Sequence, residues 1–455
     1  MNNSATPHTT ELFRPTLAWL VLLGFVFLSA LFILAGVGKI LNLVFPAGSL
    51  AVGVFLYFRY PFLYLSFMWW MWFLTPLVRR LADYKSSFTD PSPLLLAPYL
   101  VTAVTLVNVW QYLPTIYRRG GLAFLLSFLG VFYGFLVGLI YRSPVRVGIA
   151  LLEWLAPLLI SFHFFVNWQD YPHYRKIIQR TFLWAVLVLG AYGIFQYLVA
   201  PEWDRLWLIN ADINSAGRPF PLEIRVWSTM NAPAPFGMVM MAGLLLLFNT
   251  TGVLYIPASA MGYLSFFLSR VRSAWGGWII GFFLLALSLK TQFKIRLIVT
   301  VVIIATCVIP LTLIEPFSEQ ITSRFETLSN VENDVSAQAR AETYQNLLGS
   351  ALSSWFGEGL GSPQFDSAIL AMLFSLGWFG TCLYMSGMLF LTLSLFLGKE
   401  CQLDPFLATA RAISLGMLAQ LILGTFMLGS SGTILWGFLG IGIAGRKYYL
   451  SQNYS

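Results

Sequence analysis

The sequence predicts an all-α polytopic integral membrane protein with about 12–14 transmembrane helices. Three observations lead there. Of the 455 residues, 58% are hydrophobic and only 10% charged, and the mean hydropathy is +0.74, a composition that excludes a water-soluble globular domain. Apolar runs of the roughly twenty residues needed to cross a bilayer as helix recur through the chain. One long polar stretch, residues 314–366, interrupts them. Polar backbone cannot face lipid, so this insertion belongs in water or in a protein-lined cavity at one membrane surface, and long loops in compact proteins are usually functional.

In chain order the runs cover residues 17–36, 41–58, 61–78, 94–112, 121–141, 147–166, 182–199, 233–249, 252–268, 274–289, 296–313, 368–397, 410–428 and 431–445. That makes fourteen. The run at 41–58 carries Pro46, and only Gly429 and Ser430 separate the last two, so twelve or thirteen spans are the alternative. The leading segment MNNSATPHTTELFRP lacks a basic n-region and a small-residue cleavage site, and the first run is expected to be retained as a span. Sixteen tryptophans, with a cluster at Trp69, Trp70 and Trp72, suit the membrane interface, where an amphipathic ring holds one end in the headgroups. The three cysteines, Cys307, Cys382 and Cys401, form neither a disulfide framework nor a metal-type spacing. Residues 1–199 read as N-terminal transmembrane helices, and residues 200–455 as a core with two long loops, 200–232 and 314–366.

The net charge of +8 lies in the connections between runs, which argues against nucleic acid as a partner. With an even number of spans and the N-terminus inside, the inner connections carry 14 basic residues against four acidic ones, and the outer ones 13 against 14. Seven of the outer basic residues lie in loops 200–232 and 314–366 and the link 268–273, and long loops cross regardless of charge, so the short connections favour cytoplasmic termini. Both long loops and the short link 268–273 then share the outer face.

Three outer segments carry arginine with almost no lysine. RPFPLEIRVWSTMNAPAPFG holds Arg218 and Arg225, LSRVRSAWGGW holds Arg270 and Arg272, and the large loop holds Arg324 and Arg340. A planar guanidinium donates paired hydrogen bonds to phosphate and stays charged at any working pH, so the set reads as a diphosphate pocket. Snorkelling to headgroups or pairing with a nearby Glu is the alternative for each arginine alone. In the large loop, Asp334 or Ser336 is placed to cap a helix running to about Trp355, with Tyr344, Leu348, Ala351, Leu352 and Trp355 at helical spacing. Arg340 falls one turn before Tyr344 on that stripe. The run FGEGLGS, residues 356–362, ends the helix and allows close backbone approach to a ligand, or is an ordinary glycine-rich turn. Asp366 precedes a span directly and is a candidate base for a hydroxyl, with capping of the following helix as the alternative. Glu153, inside ALLEWLAPLLI, is the single acidic residue within a run. An acid in a membrane span calls for a functional hypothesis, with hydrogen bonding to a neighbouring helix as the alternative. His163 and His173 have no ligand partner in sequence.

With these motifs in place, the chain resembles the bacterial O-antigen ligase and polysaccharide polymerase family, most closely from about Arg225 to Gly380. VRSAWGGWIIG is similar to the family's Ser-Arg-Gly-Ala type helix start, with Arg272 at the family arginine and Val271 where serine is common. Asp334-Val-Ser336, Arg340 and GEGLGS are similar to its Asp-x-Ser, Arg and Gly-x-Gly run. FDSAILAMLFSLG keeps the spacing of its His-Asn-x-x-Leu signature, Leu370 and Gly377 in register, but has Asp366 and Ser367 in place of His and Asn. That departure favours a polymerase over a ligase.

The resemblance implies a C-type glycosyltransferase-like fold in the inner membrane, active at the periplasmic face, in O-antigen, lipopolysaccharide or exopolysaccharide assembly in the cell envelope. Its donor is a glycan on an undecaprenyl-type diphosphate, its acceptor another glycan or lipid-linked glycan, and other polysaccharide-assembly proteins are expected neighbours. Arg225, Arg270, Arg272, Arg324 and Arg340 are then the diphosphate ligands, with Arg272, Arg340 and Asp366 catalytic. No cofactor or metal is expected, because the outer acids form no compact cluster in sequence. A transporter or flippase of lipid-linked sugar is the rival class and calls for mid-membrane charges, broken helices and paired halves. A non-catalytic scaffold should tolerate loss of Arg272 and Arg340.

Overall fold

The computed structural model describes residues 16–211, 214–250, 252–288, 291–313, 335–363, 365, 367–397 and 404–453. Among these residues regular structure is helical, with a single β-bridge between Gly217 and Ile224. The helices are α1 (Thr16–Leu34), α2 (Gly38–Arg59), α3 (Pro61–Lys85), α4 (Ala97–Ala103), α5 (Leu106–Tyr112), α6 (Leu122–Tyr141), α7 (Pro144–Val166), α8 (Tyr171–Val199) and α9 (Glu202–Asn210). They continue with α10 (Pro233–Leu247), α11 (Tyr255–Leu268), α12 (Arg272–Ser288), α13 (Thr291–Leu313), α14 (Val335–Ser353), α15 (Ala368–Leu397), α16 (Pro405–Leu418) and α17 (Gly429–Asn453). The protein is therefore an all-helical polytopic membrane protein.

Each of the fourteen apolar runs falls on helix, and eight helical segments among the described residues are long and apolar enough to span a membrane. Helices α10, α11, α12 and α16 are apolar but have only 14–17 residues, about 21–26 Å at 1.5 Å per residue, short of a ~30 Å hydrocarbon core. α10 is buried almost throughout, so protein rather than lipid sets its length. Two runs depart from single helices. That at 94–112 divides between α4 and α5, where Thr102 Oγ1 donates to Pro98 O at 2.8 Å and Thr105 Oγ1 to Thr102 O at 2.8 Å, side-chain bonds that compete with the helical ladder. That at 410–428 is helical only to Leu418 and then turns, because apolar composition alone does not separate a helix from a buried turn.

The connections gather at two ends. At one, Asp404 accepts from Tyr171 Oη (2.7 Å), Arg175 Nη1 (2.9 Å) and Tyr449 Oη (3.1 Å) while capping α16 through the Phe406 N–H, and Asn249 donates to Pro405 O at 3.0 Å. At the other, loop-rich end, Arg80 of α3 meets Asp204 of α9 at 2.5 Å and Ser228 O at 2.6 Å, and Val226 N–H donates to Leu268 O at 3.2 Å. Residues 200–232, the 268–272 link and α14 share that end, the grouping expected from alternating crossings.

The Arg80–Asp204 pair is sealed from solvent on both sides, and Asp204 also accepts from Gln196 (2.7 Å) and Tyr192 (3.0 Å). Burial pushes its carboxyl above the usual range, against the pull of Arg80, Gln196 and Tyr192. Removing one member strands a buried charge, which typically destabilises by about 3–5 kcal/mol. Arg80→Ala is expected to lower the melting temperature in detergent markedly and to loosen residues 200–232. An unchanged melting curve would remove the pair from the fold's supports.

Candidate functional site

The loop-rich end has two parts, an arginine corner and a cavity roofed by a glycine strap. In the corner, residues 215–228 fold back on the α11–α12 link. Arg225 donates from Nη1 to Ser215 O (2.6 Å), from Nε to Ser269 O (3.2 Å) and from Nη2 to Arg270 O (3.1 Å), so its guanidinium braces three carbonyls from two segments. Arg270 sits at the turn with φ of +53° and donates to Glu223 O at 3.4 Å. Arg272 is the first residue of α12. The structure thus brings Arg225, Arg270 and Arg272 together. Arg324 and Asp366 lie outside the described residues. Arg340 falls in the second turn of α14 by backbone, and its side chain lies outside the described residues.

α14 begins at Val335 and ends at Ser353, close to the expected bounds. Ala351 packs against Leu370, Leu373 and Phe374 of α15, joined by Tyr344, Leu347 and Leu348. Leu352 and Trp355, expected on that stripe, are instead 44% and 68% exposed; Trp355 lies beyond the helix end at Ser353, where the chain turns toward α15. Tyr344 Oη hydrogen-bonds Ser367 Oγ and reaches Ile422 O at 3.4 Å, docking the Arg340-bearing helix on the start of α15 and on the 419–428 turn. Ser367 precedes α15, and its Oγ receives the Leu370 N–H at 3.5 Å, so the cap position of that helix belongs to Ser367.

The strap, residues 354–362, fills a break in α15. Gly377 has φ +61° and ψ −175°, a region essentially restricted to glycine. Its opened ladder is closed by the strap: Glu358 N–H donates to Phe374 O at 2.6 Å, and Trp378 N–H to Trp355 O at 3.0 Å. On the other side Leu360 N–H donates to Gly134 O at 2.8 Å, and Arg142 pairs with Glu358 at 2.5 Å. The positive-φ glycines of GEGLGS, expected to favour a ligand, serve packing first: a Cβ on Gly359 would stand 2.1 Å from Gly138 N. Sequence reasoning missed the cause, the stripe Gly130, Gly134 and Gly138 on α6, a small-residue pattern at every fourth position that lets helices in a membrane approach closely.

Beneath the strap lies a cavity of about 420 Å³ lined by Arg146, Glu153, Trp154, Ser362, Ser375 and Thr425, among others. Arg146 is exposed and Glu153 half-buried. Ser362 Oγ and Ser375 Oγ are 2.9 Å apart, and Arg146 Cγ lies 3.3 Å from where a Gly361 Cβ would be. Of these, sequence reasoning singled out Glu153 alone. The readable signal for Arg146 was its seven-residue spacing from Glu153 on one helix face. The cavity and the corner are linked by the 419–428 turn, which contributes Thr425 to the cavity and, through Gln420, packs against Gly277 of α12. His163 is buried against Asn108 (2.7 Å) and His173 stacks on Phe62, both away from the cavity. Among the described residues no group of His, Cys, Asp and Glu could hold a metal ion. No protein-family model and no curated protein sequence matches the chain.

Gly359→Ala forces a side chain into the α6 backbone and holds an unfavourable φ, strain of about 1–3 kcal/mol. Hydrogen exchange is expected to accelerate at the Leu360 amide and across the strap, with a lower melting temperature. Native-like protection in the variant would show that the strap is not clamped by this contact.

Proposed function

We propose that this protein is a membrane glycosyltransferase that extends or transfers polyprenyl-diphosphate-linked oligosaccharide, with polymerisation favoured over ligation to lipid A core. The observation that carries the reading is the gathering at one end of Arg225, Arg270 and Arg272 from two connections, with the Arg340-bearing helix docked at the same end. In the proposed reaction an acceptor hydroxyl attacks C1 of the donor sugar and the diphosphate departs. Cationic donors fixed in advance stabilise the charge that grows on the leaving group. Arg272 and Arg340 take that role, Arg225 braces the corner and Arg270 and Arg324 line the diphosphate's approach. Asp366 orients or deprotonates the hydroxyl, a role that the capping of α15 by Ser367 leaves open to it. The Asp366–Ser367 pair, where the ligase pattern has His-Asn, supports the polymerase. The site would face the periplasm from the inner membrane.

Transport of lipid-linked sugar is the second reading, favoured by the break in α15 and by the α4–α5 interruption, since broken helices mark binding sites in transporters. Against it, the strap takes up Phe374 O and the Trp378 N–H at the α15 break with its own hydrogen bonds, so protein occupies the gap.

Purified protein in liposomes, supplied with lipid-linked repeat units alone, is expected to build a ladder of longer lipid-linked products. Arg272→Ala and Arg340→Ala, inserted at normal levels, should each lower the rate at least about 100-fold, the scale on which loss of one transition-state donor is felt. Full activity in both variants rejects the diphosphate pocket. A product only with added lipid A core indicates a ligase, and no product under either condition supports transport.

A further inference from the structure

The cavity under the strap has a chemistry unlike that of the arginine corner. One wall is a face of α7: Arg146, Ile149, Ala150 and Glu153 recur at spacings of three, four and seven residues, which places them on one side of the helix. At 1.5 Å per residue, Glu153 lies about 10 Å deeper along the axis than Arg146 and about 13 Å from the helix start at Pro144. The opposite side supplies hydroxyls from three separate segments, Ser362 from the strap, Ser375 from α15 and Thr425 from the 419–428 turn. Trp154 adds an aromatic wall. A volume of about 420 Å³ falls within the ~300–1,000 Å³ typical of small-molecule sites. A carboxylate in a membrane span is expensive to keep and calls for a purpose. A cation, a carboxylate and several hydroxyls in one lining match a polyhydroxylated ligand that brings hydroxyl donors to Glu153. A diphosphate fits poorly, because Glu153 adds a carboxylate to that lining.

We infer that this cavity is the acceptor subsite, which holds one sugar of the acceptor glycan with a hydroxyl donating to the Glu153 carboxylate. The inference rests on the glycosyltransferase reading and assigns the acceptor side that the arginines do not serve. In the step, an acceptor oxygen outside the cavity forms a bond to C1 of the donor sugar and its proton passes to the base of the proposed reaction. The bond from C1 to the diphosphate oxygen breaks, and its electron pair leaves with the diphosphate. Glu153 is then a binding residue for the acceptor, and Arg146 contacts the same glycan.

The test uses the full-length protein in detergent micelles with two probes measured separately. These are undecaprenyl diphosphate alone, and the free oligosaccharide released by mild acid from the host's own lipid-linked repeat unit. Wild type should bind both. Glu153→Gln should weaken oligosaccharide binding at least about tenfold, leave undecaprenyl diphosphate binding unchanged, and raise the acceptor KM for ladder formation about tenfold with kcat within about threefold, the mark of a lost binding contact. Glu153→Asp should recover part of that loss, and Ala150→Trp, which fills the cavity, should raise the acceptor KM. The inference is overturned if wild type binds no oligosaccharide, if Glu153→Gln keeps oligosaccharide binding within about twofold, or if Glu153→Gln loses undecaprenyl diphosphate as well. Oligosaccharide binding that depends on Glu153 without any ladder would keep the cavity as a glycan site and reject the glycosyltransferase reading, so the two proposals fail separately.

Discussion

Inside a bilayer no water completes the hydrogen bonds of an interrupted helix, and each unmade bond costs several kcal/mol. This constraint governs the loop-rich end. α15 can break at Gly377 because the strap at 354–362 enters the gap and supplies the missing partners, Glu358 N–H for Phe374 O and Trp355 O for Trp378 N–H. The strap in turn can lie so close because α6 presents glycine at 134 and 138, while Gly130 lets α15 approach at Gly380 and Tyr384. Remove any one of the three features and the other two lose their reason. The cavity borders this arrangement, with Gly361 and Ser362 of the strap and Ala371 and Ser375 of the first half of α15 in its lining.

The polar contacts of the loop-rich end follow a common pattern, in which a long-range cation closes onto backbone as often as onto an acid. Arg225 closes on three carbonyls and Arg80 on Ser228 O beside Asp204. Carbonyls at turns and helix ends are acceptors that the helices cannot satisfy themselves. Arginine, with five donors in a fixed plane, satisfies several at once. The abundance of arginine over lysine therefore has a structural cause, and Arg225 belongs to it by its contacts.

The spans were legible in the sequence because hydrophobic length is a local property. The Tyr344–Leu348–Ala351 stripe of α14 was legible too, since helical periodicity declares a packed face before the partner is known. The break at Gly377 was not, because its stability is supplied by a segment about twenty residues upstream that threads the gap. Glu153 stood out as an isolated acid. Its hydroxyl-bearing neighbours at 362, 375 and 425 are more than two hundred residues away, and no local pattern connects them. The exposure of Trp355 turned on where α14 stops, the feature that periodicity constrains least. Arg324 and Asp366 rest on motif spacing alone.

The glycine contact between α6 and α15 has a mechanical corollary. Two backbones in direct contact have no side chains between them that could change rotamer and absorb a displacement, so this seam behaves as a fixed anvil. Displacement at this end falls instead to the facing elements, α14 and the 419–428 turn, whose mutual contact includes the long hydrogen bond from Tyr344 to Ile422. The molecule thus has a stationary jaw and a yielding one, and the yielding jaw bears Arg340 at one end and Thr425 at the other.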